Sequence, residues 1–327
     1  MNYIPVVITS INPPTVAVKK FASFKNIKLI VIGDLKSPKN YYQKNCQFYS
    51  IDDQKKLNFN CEKFIPVNHY SRKNLGYLIA MKLFPKFIYE TDDDNIPYHN
   101  WKVFSFISKK KFTLIKSNEN FHNIYKNFTN KFIWPRGYPL DRISNKNKPY
   151  YQKVNVEISI WQGLANRNPD VDSIYRFINK DDIFFKNRNY ILDNNLYCPF
   201  NSQNTTWSKD VFLTMYLPTT VPFRFTDILR SYIAQRIFKD KGFFLGFHKP
   251  TVYQVRNFHD NYSDFKDEIS MFLDTNKIIK ILDETDIKNL DISNSMKKIY
   301  SSLYRNKIVK KDEIKILNNW LLDASLI

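Results

Sequence analysis

The sequence predicts an α/β fold built around a parallel sheet, and three observations predict it. Residues 4–9 and 28–32 are short, almost continuously apolar runs, and a segment of helical pattern, residues 16–24, lies between them. A strand–helix–strand order with continuously apolar strands indicates parallel strands covered on both faces. A third apolar run, Phe87-Ile88-Tyr89, leads directly into Asp92, Asp93 and Asp94. In such sheets ligands bind beyond the carboxyl ends of the strands, where these aspartates fall.

The elements follow in order. Asn12-Pro13-Pro14-Thr15 reads as the loop after the first strand, and Gly33-Asp34 closes the second. Ser71 suits the N-cap of a helix reaching about residue 84, with Leu75, Leu78, Ile79 and Leu83 as its apolar face. Arg72, Lys73 and Asn74 occupy its first turn. Cations there oppose the helix dipole, so the pattern points to a phosphate site rather than to helix stability. An ordinary amphipathic helix with a solvated basic start is the plainer alternative.

Three adjacent carboxylates repel one another unless a cation offsets them. An Asp-x-Asp at a strand end is suited to holding a divalent metal against a nucleoside diphosphate, which suggests a transferase that uses a sugar nucleotide. A solvated turn, or a cap before a helix at Pro97, would explain the same residues without function.

Residues 100–200 are less regular. They contain Trp134-Pro135-Arg136-Gly137-Tyr138, Gln162-Gly163-Leu164-Ala165 and Asn168-Pro169-Asp170-Val171-Asp172. The run Pro199-Phe200-Asn201-Ser202-Gln203-Asn204-Thr205 is densely polar. Thr226-Asp227 opens a helix that ends near Gly242, and residues 251–255 form a short strand. Amphipathic helices fill the remainder. The expected organisation is a catalytic domain over 1–263, with a nucleotide-sugar half (1–100) and an acceptor half (101–263), and a helical C-terminal appendage over 264–327.

Composition narrows the class. A chain of 327 residues that is 43% hydrophobic can bury a sizeable core. Fifty Lys and Arg against 31 Asp and Glu give a net charge of +19. That charge prompts a nucleic-acid-binding alternative, but the basic residues are dispersed and no recognition motif accompanies them. No nucleic-acid partner is therefore expected. Three cysteines without metal-like spacing fit a reducing compartment. The absence of a signal-like start or a long apolar run points to a cytoplasmic protein, with peripheral association at the cytosolic membrane face left open. Only six glycines occur, so each is expected to meet a backbone need.

Together these blocks resemble the STELLO-type glycosyltransferase-like family. The resemblance rests on Asn12-Pro13-Pro14-Thr15, Val31-Ile32-Gly33-Asp34, Arg72-Lys73-Asn74-Leu75-Gly76-Tyr77 and Tyr89-Glu90-Thr91-Asp92-Asp93-Asp94-Asn95. It continues through Arg136-Gly137, Pro169-Asp170-Val171-Asp172, the run 199–205, Asp227 and Arg256-Asn257-x-His259. The Asp227 block also looks like that of the reversibly glycosylated polypeptides, which are UDP-sugar mutases. One position departs from the pattern: Leu229 stands where the family would have Trp.

The resemblance implies a GT-A-type, Rossmann-like mixed and mainly parallel sheet flanked by helices. It implies transfer from a nucleotide sugar, with UDP the expected nucleotide, to a glycan or other hydroxyl acceptor, assisted by Mn²⁺ or Mg²⁺. Asp92, Asp94 and His259 are the candidate metal ligands. Asp34, the loop Pro13-Pro14-Thr15, Arg72, Lys73, Asn74, Asp92 and Asp93 are the candidate donor contacts. Asp227 is the candidate general base, with Asp170 and Asp172 as alternatives. Arg136, Asn201, Gln203 and Asn204 are candidate acceptor contacts. A UDP-sugar mutase and a sugar-nucleotide binder without catalysis are the competing readings.

Overall fold

The computed structural model describes residues 3–107, 111–145, 148–256 and 260–327. Its first strands show why their sequences are continuously apolar. In β1 (Ile4–Thr9), Val7 enters one hydrophobic core while Val6 and Ile8 enter another on the opposite face. In β2 (Ile27–Ile32), Ile30 and Ile32 join the first core, and Leu29 and Val31 the second. Side chains alternate across a strand, so a strand covered on both faces needs apolar residues at every position.

Helices supply both covers. Helix α1 (Val16–Ala22) places Val18 and Phe21 in the second core. After β3 (Cys46–Tyr49) and α2 (Ile51–Lys55), helix α3 (Lys73–Met81) places Leu75, Tyr77 and Leu78 in the first. Gly76 permits that close approach: a Cβ there would lie 2.5 Å from Val7 Cγ1 and 2.9 Å from Ile32 Cγ1.

The remaining strands are β4 (Phe87–Thr91), β5 (Asn95–Pro97), β6 (Phe112–Lys116), β7 (Tyr150–Val154), β8 (Ile160–Arg167), β9 (Asn189–Leu192), β10 (Asn204–Ser208) and β11 (Leu245–Gln254). They form one mixed sheet in the order β3-β2-β1-β4-β10-β8-β11-β9-β6-β7, with β5 paired to β11. The segment β3-β2-β1-β4 is parallel throughout, β10 runs antiparallel to both β4 and β8, and β8 is parallel to β11. Short helix α4 (Ser173–Ile178) follows β8, and α5 (Thr226–Lys241) precedes β11. This α/β arrangement is consistent with a GT-A-like fold.

The helix expected to follow a Ser71 cap, with Arg72 in its first turn, starts at Lys73 instead. Tyr70–Arg72 form a single 3₁₀ turn, capped by the side chain of His69, which accepts from the Ser71 N–H. All nine residues of α3 are buried, so its basic start is not a solvated face. Helix α5 begins at Thr226 as expected and ends at Gly242, whose φ of 73° provides the left-handed C-terminal cap.

The three C-terminal helices are α6 (Asn261–Glu284), α7 (Ile292–Arg305) and α8 (Lys311–Ser325). Ile278, Leu282, Ile299, Leu303, Leu317 and Trp320 are completely buried and belong to the core shared with α3 and α5. Polar contacts reinforce the join. Glu313 accepts hydrogen bonds from Tyr216 Oη at 2.6 Å and from the N–H groups of Thr219 and Thr220 at 2.9 and 2.7 Å. Asp323 accepts from the N–H groups of Asn60 and Cys61, each at 2.9 Å. Residues 264–327 thus pack into the core of the sheet domain, and the boundary expected at 263 falls inside α6.

Candidate active site at the strand ends

A cleft of about 500 Å³ opens over the carboxyl ends of the strands. From β1 come Ser10 and Asn12, from β2 Gly33 and Asp34, and from β4 Asp92, Asp93 and Asp94. Asn201 and Gln203 enter from the run before β10, Asp170 and Arg176 after β8, Asp227 on α5, and Gln254 and Arg256 at the end of β11. The signals scattered through the sequence therefore meet on one edge because the strands are parallel there.

The three aspartates have different surroundings. Asp92 accepts from Tyr70 Oη at 2.6 Å and from Lys73 Nζ at 3.0 Å. Burial pushes its carboxyl up from the ordinary value, against the pull of Lys73 and Tyr70. Asp93 turns back into the β1 loop, accepting from Ser10 Oγ at 2.5 Å and Asn12 Nδ2 at 3.0 Å. Asp94 is half-buried and meets amides, Asn95 Nδ2 at 3.1 Å and Gln254 Nε2 at 2.8 Å. Asp92 is thus partnered by the Lys73 cation, and Asp94 is positioned by the Asn95 and Gln254 amides.

Hard carboxylate oxygens suit Mg²⁺ or Mn²⁺, and Asp94 beside Asp92 supplies them. Among the described residues no three His, Cys, Asp or Glu side chains converge into a metal cage. Asp94, with Asp92 beside it, would be the residue to hold a divalent ion here. His259, the third candidate ligand, lies outside the described residues.

The other expected donor contacts divide. Asp34 lines the cleft, and its carboxylate accepts from the N–H groups of Asn68 at 2.8 Å and His69 at 3.2 Å. Arg72 reaches the cleft wall, but its guanidinium is committed to Gln54 Oε1 at 2.9 Å, Ile65 O at 3.0 Å and Glu62 at 2.9 Å. Lys73 is fully buried, bonding Tyr70, Thr91 O and Asp92. Asn74 is also fully buried and exchanges two 2.8 Å hydrogen bonds with the backbone of Leu217. Lys73 therefore braces Asp92, and neither Lys73 nor Arg72 presents an uncommitted cation to a phosphate. Pro13, Pro14 and Thr15 are not among the lining residues; Thr15 caps α1 and donates to Asp93 O at 2.5 Å.

On the other side, Arg136 links two of the three candidate bases. It donates to Asp170 at 2.8 Å through Nε and Nη2, and to Asp227 at 3.0 Å through Nη1 and Nη2. Burial opposes ionisation of Asp227, but the Arg136 guanidinium outweighs it and holds the carboxyl below the usual range. Asp172 is not a cleft residue: it caps α4 and accepts from Trp134 Nε1 at 2.5 Å, and burial raises its pKa to about 6. Asn204 is completely buried, held by Tyr89 Oη at 2.9 Å and Thr251 Oγ1 at 3.1 Å, whereas Asn201 and Gln203 face the cleft. Leu229 is a core residue with no exposure.

Lys36, His69, Arg176 and Arg224 also line the cleft, and local sequence pattern gave no sign of them. Arg176 lies on a helix of six residues inside an irregular stretch, and Arg224 on a single 3₁₀ turn. Arg256 appeared only as part of a motif block; here it faces the cleft beside Asp264.

Carboxylates and arginines thus cluster at the strand ends of the α/β sheet. Residues 224–327 match the family described as STELLO glycosyltransferases. Probable glycosyltransferase STELLO2 and Probable glycosyltransferase STELLO1, both of Arabidopsis thaliana, are each 29% identical to this chain over 297 residues. The aligned region is 85% of this chain but only 39% and 38% of those proteins, so the chain spans about two fifths of the length of the curated relatives it matches. The chain is thus similar to STELLO-type proteins over 85% of its length. The family match also takes in α6, α7 and α8, the helices that the core packing joins to the sheet. Among the described residues no helix is long and apolar enough to cross a membrane.

Proposed function

We propose that this chain is a metal-dependent glycosyltransferase that moves a sugar from a UDP-type nucleotide sugar to a hydroxyl of a glycan or similar acceptor. One observation carries the reading: Asp34, Asp92–Asp94 and the Arg136–Asp227 pair, from distant parts of the sequence, line a single cleft of about 500 Å³. That volume suits a nucleotide sugar.

In this reading the base and ribose lie between Asp34 and the β1 loop, with His69 and Asn68 at one wall. Asp94 holds the cation, Asp92 supports it, and Asp93 fixes the loop carrying Ser10 and Asn12. A bound divalent ion would offset the charge that builds on the departing diphosphate. Gln203 and Asn201 offer amide donors and acceptors to sugar hydroxyls. Asp227 receives the acceptor proton or orients the acceptor hydroxyl.

A second reading, a UDP-sugar mutase, is favoured by the pairing of both Asp227 and Asp170 with Arg136, because an ion-paired carboxylate is a weaker base. Incubation with UDP-sugars and Mn²⁺ separates these possibilities. Free UDP and a glycosylated acceptor support transfer, whereas a rearranged UDP-sugar without released UDP supports the mutase. Failure of UDP to bind at all would sink both.

A further inference from the structure

Five arginines line the cleft: Arg72, Arg136, Arg176, Arg224 and Arg256. Four carry a carboxylate partner. Arg72 is paired with Glu62, Arg136 with Asp170 and Asp227, Arg224 with Glu268, and Arg256 with Asp264. Arg176 alone takes part in no ion pair among the described residues. Its Nη1 donates to Asn168 Oδ1 at 3.1 Å and its Nη2 to Pro169 O at 2.7 Å, both neutral acceptors. Its Nε is buried and finds no hydrogen-bond partner in the protein. A guanidinium that is desolvated with no carboxylate in contact, and only the longer-range charge of Asp170 to offset it, is costly unless a ligand supplies another.

The position of Arg176 indicates which ligand. Along the sheet, β4 and β8 are separated by β10, two strand spacings or about 10 Å. Arg176 follows β8, so it lies beyond Asp92–Asp94 on the side away from Asp34. Arg256, after β11, is next to it in the same cleft. If the nucleotide runs from Asp34 toward Asp94, as proposed above, Arg176 meets whatever lies past the diphosphate.

We propose that Arg176, flanked by Arg256, binds an anionic group, a carboxylate or a phosphate, carried by the sugar acceptor. Guanidinium groups match both oxyanions through paired N–H donors, and Nη1 and Nη2 of Arg176 each give one N–H to a neutral acceptor and keep a second to contribute. Burial and the positive charges of Arg256 and Arg224 lower the pKa of Arg176 to about 10, although the charge of Asp170 pulls the other way. This proposal rests on the nucleotide-sugar reading for its orientation.

Titration calorimetry on the full chain, with and without UDP and Mn²⁺, tests it using glucuronate, glucose 6-phosphate and glucose as probes. The anionic sugars should bind at least tenfold more tightly than glucose. Arg176→Gln should reduce that preference to within twofold while leaving UDP affinity intact. Arg176→Lys should retain part of it, and Arg256→Gln should weaken it from a separate element. Thermal melts establish that each variant is folded. Equal binding of glucose and the anionic sugars overturns the proposal. So does an Arg176→Gln variant that weakens UDP as much as the anionic sugars, which would assign Arg176 to the donor diphosphate. Tight binding of anionic sugars without any UDP binding would support the oxyanion site and overturn the nucleotide-sugar reading instead.

Discussion

Arg136 holds both carboxylate oxygens of Asp227, donating from Nη1 to Oδ1 and from Nη2 to Oδ2 at 3.0 Å each. The same guanidinium holds Asp170. Any proton accepted by Asp227 is accepted against that cation. If Asp227 is the general base, the acid limb of kcat/KM should lie below pH 3.8, the ordinary value, because Arg136 holds the group below it. Arg136→Gln should move that limb upward. A limb near pH 6 in the wild-type enzyme would assign the base elsewhere.

Asp92 and Asp94 should respond differently to loss. Asp94→Ala removes a half-buried carboxylate that accepts from the Asn95 and Gln254 amides, so UDP affinity in Mn²⁺ should fall at least tenfold with little change in Tm. Asp92→Ala leaves the fully buried Lys73 without its ion-pair partner and should cost roughly 3 kcal/mol of stability. Calorimetry with UDP and chemical denaturation distinguish the two. Equal binding losses at unchanged stability would show that both aspartates act on the ligand alone.

Asp172 predicts a pH dependence of stability. Burial raises its folded pKa from 3.8 to about 6, so the folded state favours the neutral form. Its penalty is fully present above pH 6 and fades as pH falls toward 3.8, amounting to roughly 3 kcal/mol at most. Asp172→Asn keeps a helix-capping side chain without the charge. Its stability relative to the wild type should rise between pH 4 and pH 7. A difference that does not vary over that interval would remove the burial argument.

The C-terminal helices should be indispensable to folding. A chain ending at residue 263 would expose the core otherwise covered by Ile299, Leu303, Leu317 and Trp320, and should lack a cooperative thermal transition. Glu313→Ala should cost about 3 kcal/mol, since the N–H groups of Thr219 and Thr220 lose their buried acceptor. A truncated chain that melts cooperatively would restore residues 264–327 to the status of an appendage.

Gly137 offers a local test. Its φ is +87°, and a Cβ there would meet Ile228, the neighbour of Asp227. Gly137→Ala should destabilise the fold by about 1–3 kcal/mol and displace Arg136 from Asp227. A variant with wild-type Tm and turnover would show that the turn relaxes without reaching the site.

Much of the β1–β4 side of the cleft was legible in the amino-acid order because it depends on local pattern. Continuous apolar strands can be read residue by residue, and a carboxylate cluster at a strand end breaks that pattern visibly. The basic helix start was legible as an anomaly, but its meaning was not. Whether Lys73 faces a phosphate or Asp92 depends on what lies above the helix, and Lys73 Nζ lies 3.0 Å from Asp92. Hydrophobic continuity likewise could not reveal that α8 covers α3, because a buried face looks alike whichever element it meets.

The chain's own order thus determined the parallel α/β half, the edge at which ligands gather and the residues Asp34 and Asp92–Asp94 that mark it, since periodicity and strand-end chemistry are local properties. Tertiary structure alone decided which charges remain available. Arg72, Lys73 and Arg136 have protein partners, and Arg176 has no ion pair among the described residues. Charge compensation is set by distances across the fold, and residues far apart in sequence, such as Arg136 and Asp227, approach only when the strands and helices have packed.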